Sequence, residues 1–88
     1  METDRHVIAG VHITDRVQQV SQLQTVLSSY GFLIKTRLGL HETSKNLSSP
    51  NGVILLELLD DEEHVEGLIS ELSGIEGVEV QRMVFDNP

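Results

Sequence analysis

Four histidines, His6, His12, His41 and His64, are the side chains best placed by type to hold a metal ion or move a proton near neutral pH. Their spacing works against a site within one subunit. His6 and His12 share a face of one alternating segment, but six residues of extended chain separate them by roughly 20 Å, too far for one ion. His64 lies in the first turns of an amphipathic segment among carboxylates, where a solvated histidine is the ordinary case. His41 opens a long polar stretch and could meet His12 only from another subunit. No H-x-H, H-x-x-H or E-x-x-H pair exists. No metal ligands and no cofactor are therefore assigned, and an inter-subunit pairing of His12 with His41 is kept as an alternative. The run Asp60-Asp61-Glu62-Glu63 lacks the spacers and turn glycine of a calcium loop and suits a helix N-terminus instead.

Catalytic chemistry has even less to work with. The chain has no cysteine, and neither a nucleophile elbow nor a Walker or G-x-G-x-x-G phosphate loop. His41 and Glu42 are chain neighbours whose side chains diverge in extended backbone. No catalytic residue is assigned, and a non-enzymatic role is expected. The segment from His41 to Gly52 is longer than an ordinary hairpin connection. Its Ser44, Lys45, Asn46, Ser48 and Ser49 could hold a small anion. A solvated turn into the next strand accounts for the same residues, and both readings stay open.

The elements that would position these groups form a repeat. "RHVIAGVHIT" alternates, with Val7, Ala9, Val11 and Ile13 on one face and His6, Ile8, Gly10 and His12 on the other. "DRVQQVSQLQTVLSSYG" then changes to helical spacing, with Val17, Val20, Leu23, Leu27 and Tyr30 as its stripe. Asp15 would cap that helix, and Gly31 would stop it in a left-handed conformation. "FLIKTRLGL" is a second strand, and "VILLELL" a third, apolar on both faces. "DDEEHVEGLISELSG" carries Val65, Leu68, Ile69 and Leu72 at helical spacing and ends at Gly74; "GVEVQRMVF" closes as a fourth strand.

Val7 to Asp15 aligns with Val53 to Asp61, and Val20, Leu23 and Leu27 with Val65, Leu68 and Leu72. The order β-α-β-β-α-β predicts one α+β domain over residues 1–88. Its form would be a ferredoxin-like sandwich, with two helices on one face of a four-stranded antiparallel sheet and the first and third strands central. If Ile54, Leu56 and Leu58 face the helices, Val53, Leu55 and Leu59 must face the other way, with Ile8 beside them and Met83 and Phe85 following. So large an apolar patch marks an interface, which predicts a homo-oligomer, dimer or tetramer, built on Ile8, Val53, Leu55 and Leu59, or on paired strand edges.

Composition narrows the partners. Hydrophobic residues make up 39% of the chain but aromatics only 3%, so Leu, Val and Ile must fill the core. Six basic against fourteen acidic residues give a net charge of −8, and the six are scattered. Direct nucleic-acid binding, which needs clustered Lys and Arg to displace counterions, is not expected. No apolar run approaches the roughly 20 residues of a membrane span. The start, "METDRHV", lacks a signal-peptide core, so a cytoplasmic protein is expected.

"GVHITDR", "YGFLIKTRLGL", "NGVILLELL" and "LSGIEGVEV" together resemble a family of small proteins described as iron-only hydrogenase system regulators. That family is similar in fold to ACT domains and to the C-terminal domain of nickel-responsive repressors. The match runs from Arg5 to about Val84 and includes an Arg37-x-Gly39 turn and the Gly-Val-x-Val of Gly77 to Val80. The resemblance implies an oligomeric regulatory module that senses a small ligand. Strand three here has neither the histidines nor the cysteine of the nickel site, and the chain begins at strand one with no DNA-reading segment before it, so neither property is expected. A ligand is expected at a subunit boundary near Gly39, Leu40 and His41, where Gly10 and Gly39 would permit close backbone approach. A small isomerase-like enzyme on a dimeric α+β barrel is the remaining alternative; it requires an enclosed pocket holding a shifted carboxylate or histidine.

Overall fold

The structure, a computed structural model, describes residues 5–14, 20–40 and 52–86, with Leu40 by its backbone alone. The elements are β1 (His6–Ile13), α1 (Val20–Ser29), a 3-10 turn (Gly31–Leu33), β2 (Ile34–Leu40), β3 (Gly52–Leu58), α2 (Glu62–Ser73) and β4 (Val78–Phe85). The strands form one antiparallel sheet in the order β2-β3-β1-β4, so β1 and β3 are the central pair, as the repeat predicts. This is an α+β architecture.

Alternation along the central strands decides what each face becomes. Val7 pairs with Leu58, Ala9 with Leu56 and Val11 with Ile54, and all six side chains are buried. Against them pack Leu23, Val26 and Leu27 of α1 and Val65, Leu68 and Leu72 of α2, in a single apolar cluster. Both helices therefore cover the same face. Each fully buried Leu or Val stabilises the fold by about 1.5–3 kcal/mol relative to exposure, so this cluster is where the stability of an aromatic-poor chain must come from.

Several local expectations are corrected. Val20 is 47% exposed, and Val26 takes the inward place instead, because α1 turns Leu23, Val26 and Leu27 to the sheet. β2 begins at Ile34, since Gly31 to Leu33 wind as a 3-10 turn in which the Leu33 N–H donates to the Tyr30 carbonyl at 2.9 Å. Gly31 is not a left-handed stop, whereas Gly74 ends α2 as expected. After α2 the chain continues right-handed through Gly74 (φ −79°), which lets Ile75 drop into the core. The left-handed residue comes later, at Gly77 (φ 89°), whose carbonyl accepts from the Thr14 N–H (2.9 Å) and hydroxyl (2.8 Å). Arg37 and Gly39 stand inside β2, not in a turn. Asp15 and Val17 lie outside the described residues.

Candidate ligand and assembly surfaces

Among the described residues nothing packs on the face of the sheet away from the helices, here called the bare face, and the register lays it out in rows. Leu40, Val53, His12 and Glu79 align across β2, β3, β1 and β4; then Leu38, Leu55, Gly10 and Gln81; then Thr36, Glu57, Ile8 and Met83. His6 and Phe85 pair at the far end. Ile8, Val53 and Leu55 are half-buried by their neighbours, whereas Leu38, Met83 and Phe85 are each more than half exposed. Leu59, just past the end of β3, is also exposed. Two carboxylates project from the described strands on this face, and each has a partner. Glu57 accepts from the Thr36 hydroxyl at 3.1 Å and lies 3.5 Å from Lys35 Nζ; Glu79 Oε1 lies 3.2 Å from His12 Nδ1. A bulge between Ile34 and Thr36 brings both Lys35 and Thr36 to Glu57. At Gly10 the missing side chain leaves a depression of about 210 Å³ ringed by His12, Val53, Glu79 and Gln81. A β-carbon there would make ordinary contacts, the nearest 3.8 Å from Leu55 Cδ2, so the subunit itself does not demand a glycine.

A second depression, of about 200 Å³, opens near the end of β2. It is lined by Gln24 of α1, Arg37 and Gly39 of β2, and Gly52 with Ile13 and Ile54 behind. Arg37 and Gly39 pair with Leu56 and Ile54, so alternation turns them to the helix side of the sheet. Gly39, expected at a ligand site, is thus in a cavity wall. Leu40 lies on the bare-face side of the register, and His41 lies outside the described residues together with the rest of its polar stretch. The structure does not bring Gly10 and Gly39 to one place, since they belong to opposite faces.

The strongest electrostatics lie elsewhere, at the start of α2. Arg5 donates to Asp60 at 2.9 and 3.1 Å and to Glu62 at 3.2 Å; Arg82 reaches Glu62 at 3.2 Å and Glu66 at 3.1 Å. Hydrogen bonds from Arg5 hold Asp60 below the ordinary carboxylate value and raise Arg5 in return. Asp61 caps α2, accepting from the His64 N–H at 3.4 Å and lying 2.7 Å from its ring Nδ1, contacts that also lower it. Glu62 is lowered too, first by sharing a hydrogen bond with Glu66 and then by the two arginines. The acidic run is therefore capping and ion pairing, as expected, and its shifted carboxylates are spent on Arg5, Arg82 and His64, in neither depression's wall. Among the described residues no three His, Asp or Glu side chains gather as metal ligands. Beside this cluster Tyr30 stacks on Phe32 with ring centroids 6.0 Å apart, and Phe32 meets His64 edge-on at 5.1 Å. Spacing alone conceals these contacts, because Arg5, Tyr30 and Phe32 come from distant parts of the chain. The side taken by Arg37 and Gly39 was hidden too, because the bulge between Ile34 and Thr36 reverses the parity that simple alternation from Ile34 would give.

The described residues define a small α+β fold, a four-stranded antiparallel sheet with two helices on one of its faces. It is similar to the solved structure of the uncharacterized protein TM1266 from Thermotoga maritima, with a TM-score of 0.73 and 23% identity over 94% of this chain and 98% of that one. At that identity the likeness is one of fold. No family model matches the chain, and no curated protein does. None of the described helices is long and apolar enough to cross a membrane.

Proposed function

We propose that this chain is a non-enzymatic regulatory module that works as a homo-oligomer through its bare sheet face and senses a small ligand. The observation that carries the reading is the distribution of charge over that face. A chain of net charge −8 repels its own copies, yet this face carries Leu38, Leu55, Ile8 and Met83 among Thr36 and Gln81, and its two strand carboxylates each have a partner, Lys35 and Thr36 for Glu57 and His12 for Glu79. Such a patch is a place where a second copy can approach with the strand carboxylates already partnered. Paired strand edges fit less well, because the β2 edge carries Lys35, Thr36 and Arg37 and reads as a guarded edge.

Read from its other edge the strand order is β4-β1-β3-β2, so each βαβ crossover skips one antiparallel strand. That arrangement supports a ferredoxin-like, ACT-like assignment. With the sequence resemblance, it makes a regulator of an iron-only hydrogenase system the specific form of the proposal. Light scattering at micromolar concentration tests the assembly: a dimer or tetramer is expected, and a clean monomer overturns it.

A further inference from the structure

We infer that the cavity at Arg37 is a binding site for a small organic carboxylate. The inference rests on the ligand-sensing reading above and gives that ligand a chemical class. Every other described cation of Lys or Arg type is matched to an acid: Arg5 to Asp60 and Glu62, Lys35 to Glu57, and Arg82 to Glu62 and Glu66. Among the described residues Arg37 alone has no carboxylate partner, in a chain with more than twice as many acids as bases. It lines a cavity of about 200 Å³ instead.

The walls of that cavity suit one kind of guest. A guanidinium offers a planar fork of donors that fits a carboxylate bidentately. Gln24, across the opening on α1, adds an amide that can donate to the same group. Gly39 and Gly52 add no side chain to the lining, while Ile13, Val53 and Ile54 supply its apolar part. No acidic side chain is among the described lining residues. The volume falls below the roughly 300–1,000 Å³ of drug-sized pockets, so the guest is compact. A charged head against Arg37 and a short apolar tail against the isoleucines satisfies all of these walls, whereas a bare phosphate leaves the apolar wall unused. Arg37 and Gly39 face the helix side of the sheet, whereas Val53, which also lines the cavity, stands in the bare-face row.

Titration of the isotopically labelled full chain with acetate, propionate, butyrate and inorganic phosphate at constant ionic strength tests this. The readout is the amide resonances of Gly39 and Gly52 and the side-chain amide of Gln24. Saturable shifts are expected, with affinity rising about fourfold per added methylene. Arg37→Met should weaken binding about tenfold or more, through loss of the charge-assisted pair. Lys35→Met, on the opposite face, should leave it unchanged. Absence of saturable shifts, full retention of binding in Arg37→Met, or phosphate binding more tightly than butyrate overturns the inference. Light scattering on the same samples keeps the two ideas apart. Carboxylate binding by a monomer defeats the assembly and leaves this site standing; an oligomer that ignores carboxylates does the reverse.

Discussion

At the scale of single residues, the contacts around α2 show how local chemistry can cancel. Gly67 lies within the helix, where an alanine is worth about 1 kcal/mol more than a glycine. A β-carbon at Gly67 would come 2.8 Å from the Tyr30 hydroxyl, which donates to Glu71 at 2.9 Å, and must push it aside. Gly67→Ala should therefore raise stability little in the native chain. In a Tyr30→Phe background the ring atoms would be at ordinary contact distance, and the same substitution should recover about 1 kcal/mol, read from urea denaturation. The lowered carboxylates make a second prediction. A carboxylate whose folded value lies below its unfolded one contributes stability that is complete above about pH 4 and disappears as pH falls through the folded value. Asp60 and Asp61 are both of this kind, held down by Arg5 and His64 respectively. Stability should fall on acidification below about pH 4, and the fall should be shallower in Asp60→Asn and Asp61→Asn. An acid limb unchanged by both substitutions would show that these contacts do not hold in solution.

At the scale of elements, β3 separates the two layers within one strand. Leu56 is fully buried against the helices, while its neighbour Leu55 lies half-covered on the bare face beside Gly10. Leu56→Ala should cost about 2–5 kcal/mol whatever the protein concentration, because it empties the core. Leu55→Ala should cost much less in the dissociated chain and show its main effect as a midpoint that shifts with protein concentration. Equal, concentration-independent losses at both positions would mean that nothing covers Leu55. The order of elements was legible because alternation and helical spacing are local properties of adjacent residues. Val7, Ala9, Val11, Leu56 and Leu68 were all recognisable as core on that ground. The 3-10 turn at Gly31 and the displaced left-handed glycine were not. Whether the chain turns at Gly74 or at Gly77 is decided by where Ile75 finds a cavity, and that depends on the sheet beneath it.

For the molecule as a whole, the proposed assembly sets an acidic chain against its own copy. Leu38 is exposed on β2, so Leu38→Asp should leave the far-UV circular dichroism of the fold intact while converting the proposed oligomer to monomer in light scattering. Persistence of the oligomer would move the interface elsewhere. The net charge of −8 adds a dependence on ionic strength. Raising salt from about 10 to 150 mM shortens the screening length from roughly 30 to 8 Å, which removes long-range repulsion but leaves the apolar face unaffected. Association should tighten with salt. Weakening would point instead to an interface held by ion pairs.

The residues by themselves determined the six elements, the central pair of strands and the side of β3 that must look away from the helices, since these follow from periodicity and the alternation of side chains. Tertiary structure decided which charges meet. Arg5 finds Asp60 across 55 residues, Arg82 finds Glu62 and Glu66, and Arg37 is left beside an open cavity. The physical reason is that pairing depends on through-space distance, which is set only once the helices have packed on the sheet.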